Sequence, residues 1–508
     1  MFNEGYSQDM KVKTFPINAG KLVAILHKID AEELGVMAGD RAEIVNKNNQ
    51  KTCVAVVDIT NYAVVVDQVG LFEEVIEKLK VKNGNKVNIT PTGQLKSLDY
   101  IKKKMNGESL TFEEISTIVK DISEDRLSDI EATAFISAIY MRGMDIDETI
   151  SMTKSLINEG NKIEFKKGIV VDKHSVGGVN GRATMIITPI IASTGLLMPK
   201  TSSRSITSAA GTADSMEVLA EVCLNVDKIK KITENVGGVI AWGGAVDLAP
   251  ADDKIIKIEH PLSIDPEGQV IASVLAKKAS VGSKYVVIDL PVGKYVKIKD
   301  KDTAIRMAKK FVQVGKEVGM KIEAVITNGE EPCGMAFGSA LEAKYALEVL
   351  EGKRFDNLAQ KSCELSGALL EMVGKAQHGK GFEMAREILE SGKALEKFKE
   401  MIKAQGGKIY SSDKVPTAPY TKEFKAGADG VIDELNTKLL TKIARIAGSP
   451  SNKTAGLMLY KLVGEKVKEG DLLFTIHAEN KEKLIAAEKF AYKNLPFSFK
   501  RIILHTIR

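Results

Sequence analysis

The stretch VDKHSVGGVNGRATMIITPIIASTGLLMPKTSSRSITSAAGTAD, residues 171–214, constrains the fold more than any other part of the chain. A short β-branched run leads into a loop of small residues, an apolar helix-like run follows, and a second small-residue loop comes after it. A helix start leaves backbone N–H groups without partners, so a small-residue loop placed there can gather donors on an anion. The first loop, Lys173-His174-Ser175-Val176-Gly177-Gly178-Val179-Asn180-Gly181, adds a cation in Lys173 and a hydroxyl donor in Ser175. It is neither G-x-G-x-x-G nor G-x-x-x-x-G-K-[ST], so dinucleotide and ATPase readings lose their usual support. The second loop, Lys200-Thr201-Ser202-Ser203-Arg204-Ser205-Ile206-Thr207-Ser208-Ala209-Ala210-Gly211-Thr212, is dense in hydroxyls around one arginine. Arginine offers planar bidentate donors and Ser/Thr hydroxyls fill the remaining oxygen lone pairs, which suits a phosphate. One such loop alone is more often a solvated turn. Two in close succession, each at a helix start, point to two phosphate-sized anions.

Around this stretch, β-branched runs alternate with helical ones: residues 168–172, 236–242, 284–291 and 322–327 read as strands, and 182–194, 311–320 and 340–350 as helices. That alternation predicts α/β layering for residues 166–405. Upstream, residues 95–165 read as helical, with S/T/D-x-x-E start signals at Thr111/Glu114, Ser128/Glu131 and Asp145/Glu148. Residues 1–90 carry an internal echo, LGVMAGDRAEIV and LKVKNGNKVNIT, in which a helix-like run ends at Gly39 or Gly84 before an alternating strand. Two copies of one unit predict a small β-barrel-like module. Residues 406–508 read as a C-terminal α+β domain, whose run VGEKVKEGDLLFTIHA is similar to the turn-strand repeats of lipoyl or biotinyl carrier domains but lacks their Met-Lys-Met lysine. Assembly or scaffolding is the expected role there.

At 508 residues the chain is long enough for several cores. Its 72 Lys and Arg against 67 Asp and Glu leave a dilute net charge of +5, which gives no support to a nucleic-acid partner or an anionic membrane surface. Cys53, Cys223, Cys333 and Cys363 lie far apart without a C-x-x-C pair, which fits a reducing cytoplasm better than a disulfide framework or a zinc knuckle. No export or membrane-spanning segment is read: the most apolar stretch, residues 184–199, is short and interrupted by Pro189 and Gly195.

The residues DKHSVGGV, the small-residue run after them and SITSAAGTADSMEVL resemble the thymidine/pyrimidine nucleoside phosphorylase family, and the similarity runs from about Leu98 to the C-terminus. The forms KTSSR-x-ITSAAGTAD, LAPADD and LSIDPEG, together with the extra N-terminal module, are closer to the branch of that family acting on AMP. The resemblance implies a central domain of the nucleoside phosphorylase/phosphoribosyltransferase type. It also implies a reaction in which inorganic phosphate, as co-substrate, attacks the anomeric carbon of a ribose while the base leaves, with no cofactor and no metal. By family pattern, Lys173, Ser175, Ser202 and Thr212 are phosphate positions. Gly177, Ser203, Arg204, Ser205, Ile206, Thr207, Ser208, Thr212, Ser273 and Lys297 are positions that hold AMP, and Asp265 is the proton donor to the base. Where nucleoside phosphorylases typically read GRGLGHTGG this chain reads SRSITSAAG, a change toward hydroxyl donors that a 5′-phosphate would require. The pyrimidine enzymes hold the base with an arginine, a serine and a lysine. Ser273 and Lys277 match two of these positions, but the arginine position falls near Ile258, which favours a different or broader base choice. Homodimers, or larger homo-oligomers, are implied as well.

Weaker candidates accompany these. Asp252-Asp253 could hold a metal, although a helix-start acidic pair is the plainer reading. His174 could be catalytic. Without the family match, Asp265 would be an ordinary turn aspartate and Lys297 a solvated lysine. A pyrimidine nucleoside phosphorylase, a magnesium-dependent phosphoribosyltransferase and a non-catalytic assembly protein stay open as alternatives.

Overall fold

The computed structural model describes residues 6–93, 95–177, 182–205, 208–246 and 248–500. They form two compact units, Met1–Ser155 with Pro250–Gln269 and Leu156–Ala249 with Val270–Arg508.

The first unit begins with a closed six-stranded barrel of Gln8–Thr14, Val23–His27, Arg41–Asn46, Thr52–Thr60, Gln68–Leu71 and Lys86–Pro91. The internal echo in the sequence is its construction rule. Helices Lys28–Leu34 and Glu73–Leu79 each lead through a left-handed glycine turn, Gly39 (φ 96°) or Gly84 (φ 82°), into strands that pair antiparallel with each other, Ile44 opposite Ile89. Alternate residues of these strands, Ala42, Ile44, Val87 and Ile89, fill the barrel.

Helices Lys96–Met105, Phe112–Ser123, Asp129–Arg142 and Ile146–Glu159 follow. Their starts are set as the sequence signals predict. Thr111/Glu114, Ser128/Glu131 and Asp145/Glu148 each make reciprocal side-chain to backbone bonds. Helix Pro250–Leu262 packs on this bundle, with Lys254 Nζ donating to the carbonyls of Ile122 (3.1 Å) and Ser123 (2.7 Å).

The second unit is built on a parallel sheet in the order Lys321–Asn328, Tyr285–Val292, Val171–Ser175. A bridge between Val170 and Leu197 continues it to the parallel pair Met198–Ser202 and Gly238–Trp242. Helix Ala183–Ala192 is buried along its whole length and sits in the largest apolar core with Ser339–Leu350 and Asn357–Met372. The C-terminal module has two antiparallel sheets, and one of them takes in Ala336–Phe337 from the central region beside Gly456–Leu459. Among the described residues no helix is long and apolar enough to cross a membrane.

Candidate functional site

The first loop leaves the C-terminal end of Val171–Ser175, the edge at which open parallel sheets place ligands. Successive strand residues face opposite sides, so Lys173 and Ser175 share one face and Asp172 and His174 the other. On the second face Asp172 is fully buried between Lys278 Nζ (2.6 Å) and Lys200 Nζ (3.2 Å). Lys200 also donates to the carbonyl of Lys173 (2.6 Å), which fixes the strand end. Burial pushes the Lys200 ammonium down to about 7, with Asp172 opposing the shift. The two lysines keep Asp172 ionised, its carboxyl held below the ordinary value despite burial.

On the first face Lys173 is 4% exposed and has no carboxylate within ion-pair distance among the described residues. Burial lowers its ammonium to about 8, and Asp289 opposes that shift. Asp289, on the neighbouring strand opposite Ser175, accepts from Ser175 Oγ (2.6 Å) and Thr327 Oγ1 (2.5 Å) and pairs with Lys361 (2.9 Å). Arg182, at the start of helix Ala183–Ala192, pairs with buried Glu342 and reaches Thr212 Oγ1 at 3.5 Å. Around Lys173, then, the buried cations Lys173, Lys200, Lys278 and Arg182, with half-buried Lys361 beside them, outnumber the buried carboxylates Asp172, Asp289 and Glu342. Buried charge of one sign in excess is costly until a counter-ion arrives, so the region is prepared for an anion.

A lysine whose folded-state pKa lies below its unfolded value destabilises the fold while both states are protonated, and stability rises as pH climbs from about 8 toward 10.5. A bound phosphate removes that penalty where it is largest. Phosphate is therefore expected to raise the melting temperature more at pH 7 than at pH 9.5, a difference that scanning calorimetry reads directly; an equal rise at both pH values would count against Lys173 as the phosphate cation.

Gly177 and Lys297 are brought together. Gly177 has φ +80°, and a Cβ there would lie 2.7 Å from Cβ of Lys297 and closer still to its Cγ. The Lys297 backbone N–H also donates to the Gly177 carbonyl at 3.4 Å. Only glycine tolerates both the left-handed backbone and the lysine stem lying on it. Replacing Gly177 by alanine is expected to raise KM for the organic substrate by about 10-fold or more through displacement of Lys297. Initial rates at saturating phosphate check this.

The second loop is folded by its own polar groups. Asp214 Oδ2 accepts from the backbone N–H of Ser205 (2.7 Å) and of Gly211 (2.8 Å). Gly211 lies so near the Ser203 carbonyl that a Cβ would meet it at 2.5 Å. Ser205 Oγ donates to the Ser208 carbonyl (2.5 Å) and Ser208 Oγ to that of Ala210 (2.8 Å). The hydroxyls of Ser202 and Ser203 make no hydrogen bond among the described residues. Two sequence expectations change here. The guanidinium of Arg204 is held by Glu217 (2.6 and 2.8 Å) and Asp214 (3.2 Å) and lies over the Trp242 ring at 4.9 Å, so it braces the loop. The hydrogen bonds to Arg204 hold Glu217 down at about 2. Ser175, expected to donate to the anion, gives its proton to Asp289 instead. A cavity of about 280 Å³ borders Arg204, Ser205, Asp214, Glu217 and Lys453, where two cations and two carboxylates cancel. The expected positions Ile206 and Thr207 lie outside the described residues.

Ser273 and Lys277 are one turn apart on helix Glu267–Ser280, and the next residue, Lys278, docks that helix on Asp172. Lys277 also adds to the positive field that, after burial, holds His174 well below its ordinary pKa. His174 itself lies on the strand face opposite Lys173 and Ser175. Asp265 belongs to the first unit, exposed in the turn between Pro250–Leu262 and Glu267–Ser280, two residues after Ser263, whose φ is +53°. Asp252 is buried and accepts from Gln269 Nε2 (2.9 Å), and no group of three metal-ligating side chains occurs among the described residues. Sequence reasoning missed Asp289, Lys361, Arg182 and Glu342. The available signal was the lone carboxylate Asp289 inside an otherwise apolar strand (YVVIDLPV); helix SALEAKYALEVL carries Glu342, Lys344 and Glu348, so nothing local singles out Glu342.

Comparison with known proteins agrees with this architecture. Residues 98–160 match the helical bundle domain of a glycosyl transferase family, 167–395 its a/b domain, and 431–498 the pyrimidine nucleoside phosphorylase C-terminal domain. The chain shares the fold of anthranilate phosphoribosyltransferase from Thermus thermophilus, with a TM-score of 0.53 and 18% identity over 61% of this chain and all of that one. It is 46% identical to AMP phosphorylase 1 of Archaeoglobus fulgidus over 97% of this chain and 98% of the relative. It is 42% identical to the AMP phosphorylase of Thermococcus kodakarensis, over 98% of this chain and 99% of that one. With such similarity from end to end, and with the helical, α/β and C-terminal domains in the same order, the chain belongs to the AMP phosphorylase family.

Proposed function

We propose that the protein catalyses phosphorolysis of AMP: an oxygen of inorganic phosphate forms a bond to C1′ of the ribose 5-phosphate, the C1′–N9 bond breaks, and adenine and ribose 1,5-bisphosphate leave. The proton that adenine carries away is supplied in balance by hydrogenphosphate, which ends as an ester dianion. The observation that carries this reading is the excess of buried cations around Lys173 at the end of a parallel strand. Such a site holds phosphate and offsets the negative charge of two phosphorylated reactants brought together.

In this reading Lys173, Ser175, Ser202 and Thr212 hold phosphate. The segment 203–208, braced by Arg204 rather than binding through it, holds AMP with Gly177, Ser273 and Lys297, and Asp265 donates the proton to the base. Phosphate is the co-substrate, and the lysines supply the charge that a metal would otherwise bring. The protein works as a homodimer or larger homo-oligomer. Support for this comes from helix Asp129–Arg142, where Ile130 and Met141, three turns apart on one face, are 83% and 77% exposed.

Incubation with phosphate and AMP, CMP, UMP, adenosine, uridine or thymidine, with and without chelator, tests the assignment through release of free base. Phosphate-dependent adenine release from AMP, unchanged by chelator, is the expected result. Release only from uridine or thymidine would overturn the 5′-phosphate reading, and loss of activity on chelation would overturn the metal-free one.

A further inference from the structure

Ser175 sits in a chain of hydrogen bonds whose directions are fixed by chemistry. Lys361 Nζ can only donate, and it lies 3.0 Å from Thr327 Oγ1 and 2.9 Å from Asp289. Thr327 therefore accepts from the lysine and gives its own proton to Asp289 Oδ1 at 2.5 Å. Asp289, fully buried and paired with a cation, is a carboxylate and only accepts. Its Oδ2, 2.6 Å from Ser175 Oγ, must take the serine proton. The Ser175 oxygen keeps two lone pairs and accepts no hydrogen bond from any described residue. It is only partly covered, at the mouth of the first loop, on the same strand face as Lys173.

We propose that Ser175 meets phosphate as an acceptor, receiving the P–OH of hydrogenphosphate, while Lys173 meets the unprotonated oxygens; Asp289, Thr327 and Lys361 are the positioning residues that hold Ser175 in that sense. The inference rests on the phosphorolysis reading and deepens it. The strand end sorts the oxygens of the nucleophile, because a hydrogen bond that holds the P–OH at Ser175 leaves an unprotonated oxygen to attack C1′. It also makes the site selective against tetrahedral dianions without a proton, whose oxygens would face serine lone pairs with no hydrogen between them.

The test is competition against phosphate in AMP cleavage by sulfate and by monofluorophosphate, dianions of similar size in which the P–OH is absent or replaced by fluorine. The inhibition constants of both are expected to exceed the KM of phosphate by about 10-fold or more. Arsenate, which keeps its As–OH, is expected to serve as co-substrate with a KM within about threefold of that of phosphate. In Ser175→Ala the preference for phosphate over sulfate should shrink to within about threefold, mostly by loss of phosphate affinity. In Asp289→Asn the new amide can donate to Ser175 and free the serine proton, so sulfate should gain relative to phosphate. A merely structural role would weaken both anions together and leave their ratio alone. Equal binding of sulfate and phosphate by the wild type, or an unchanged ratio in a folded Ser175→Ala protein, would overturn the proposal. Calorimetric titration of phosphate and sulfate without AMP gives the same ratio, so failure of AMP cleavage would count against the reaction assigned above and failure of discrimination only against this inference.

Discussion

Replacing Lys173 by methionine is expected to lower kcat/KM for phosphate by about 10³, a loss of about 4 kcal/mol of transition-state stabilisation. The magnitude follows from where the ammonium sits. A lysine in water would offer phosphate a screened interaction of small value, but Lys173 is buried, and its field reaches the ligand with little solvent between. Methionine keeps the stem and removes the charge, so the strand should stay in register and the dissociation constant of AMP should change by less than about threefold if AMP is held by the other loop. The wild-type pH profile carries the same signature. The ammonium titrates near 8 in the free protein, so phosphate affinity should decline as pH rises through that value, and the decline should be absent in Lys173→Met. Steady-state kinetics in phosphate between pH 6.5 and 9.5 for both proteins decides the matter; parallel profiles would show that another group titrates.

Asp172→Asn carries the second large effect, and it is on stability. The side chain is isosteric, but it leaves Lys200 and Lys278, both nearly inaccessible to water, without the carboxylate that lies between them. Removing one partner of a buried ion pair costs about 3–5 kcal/mol, because the remaining charge stays desolvated. Lys200, whose ammonium burial already holds down at about 7, can escape that cost by losing its proton, which becomes easier as pH rises. The deficit relative to wild type should therefore be largest near pH 6 and smaller near pH 9. Urea unfolding followed by circular dichroism at both pH values measures it, and a deficit independent of pH would mean that the lysines find another counter-charge.

Much of this arrangement is legible in the order of the residues. The capping residues Thr111, Ser128 and Asp145 announce their helices because a cap is satisfied within four residues of chain. The barrel follows from the return of LGVMAGDRAEIV as LKVKNGNKVNIT. The strand read at residues 168–172 is less well placed. The observed element is Val171–Ser175, shifted by three residues toward the polar end. Propensity disfavours Lys173 and His174 in a strand, yet pairing with Val287 and Ile288 of the central strand imposes it. The shift matters, since it puts Lys173 and Ser175 on one face.

The reaction class and the chemical character of both loops are written in the chain, because small residues, hydroxyls and a lysine at strand and helix ends are local signals. Which polar groups are already satisfied is not written there. Arg204 reads as an anion donor until Glu217 and Asp214 are seen to hold it, and Ser175 reads as a donor until Asp289, 114 residues further along, is seen to take its proton. Partners so distant in the chain are set by strand order and register. A hydrogen bond's direction depends on what every neighbour has left to give, so these roles come into being only when the chain is folded.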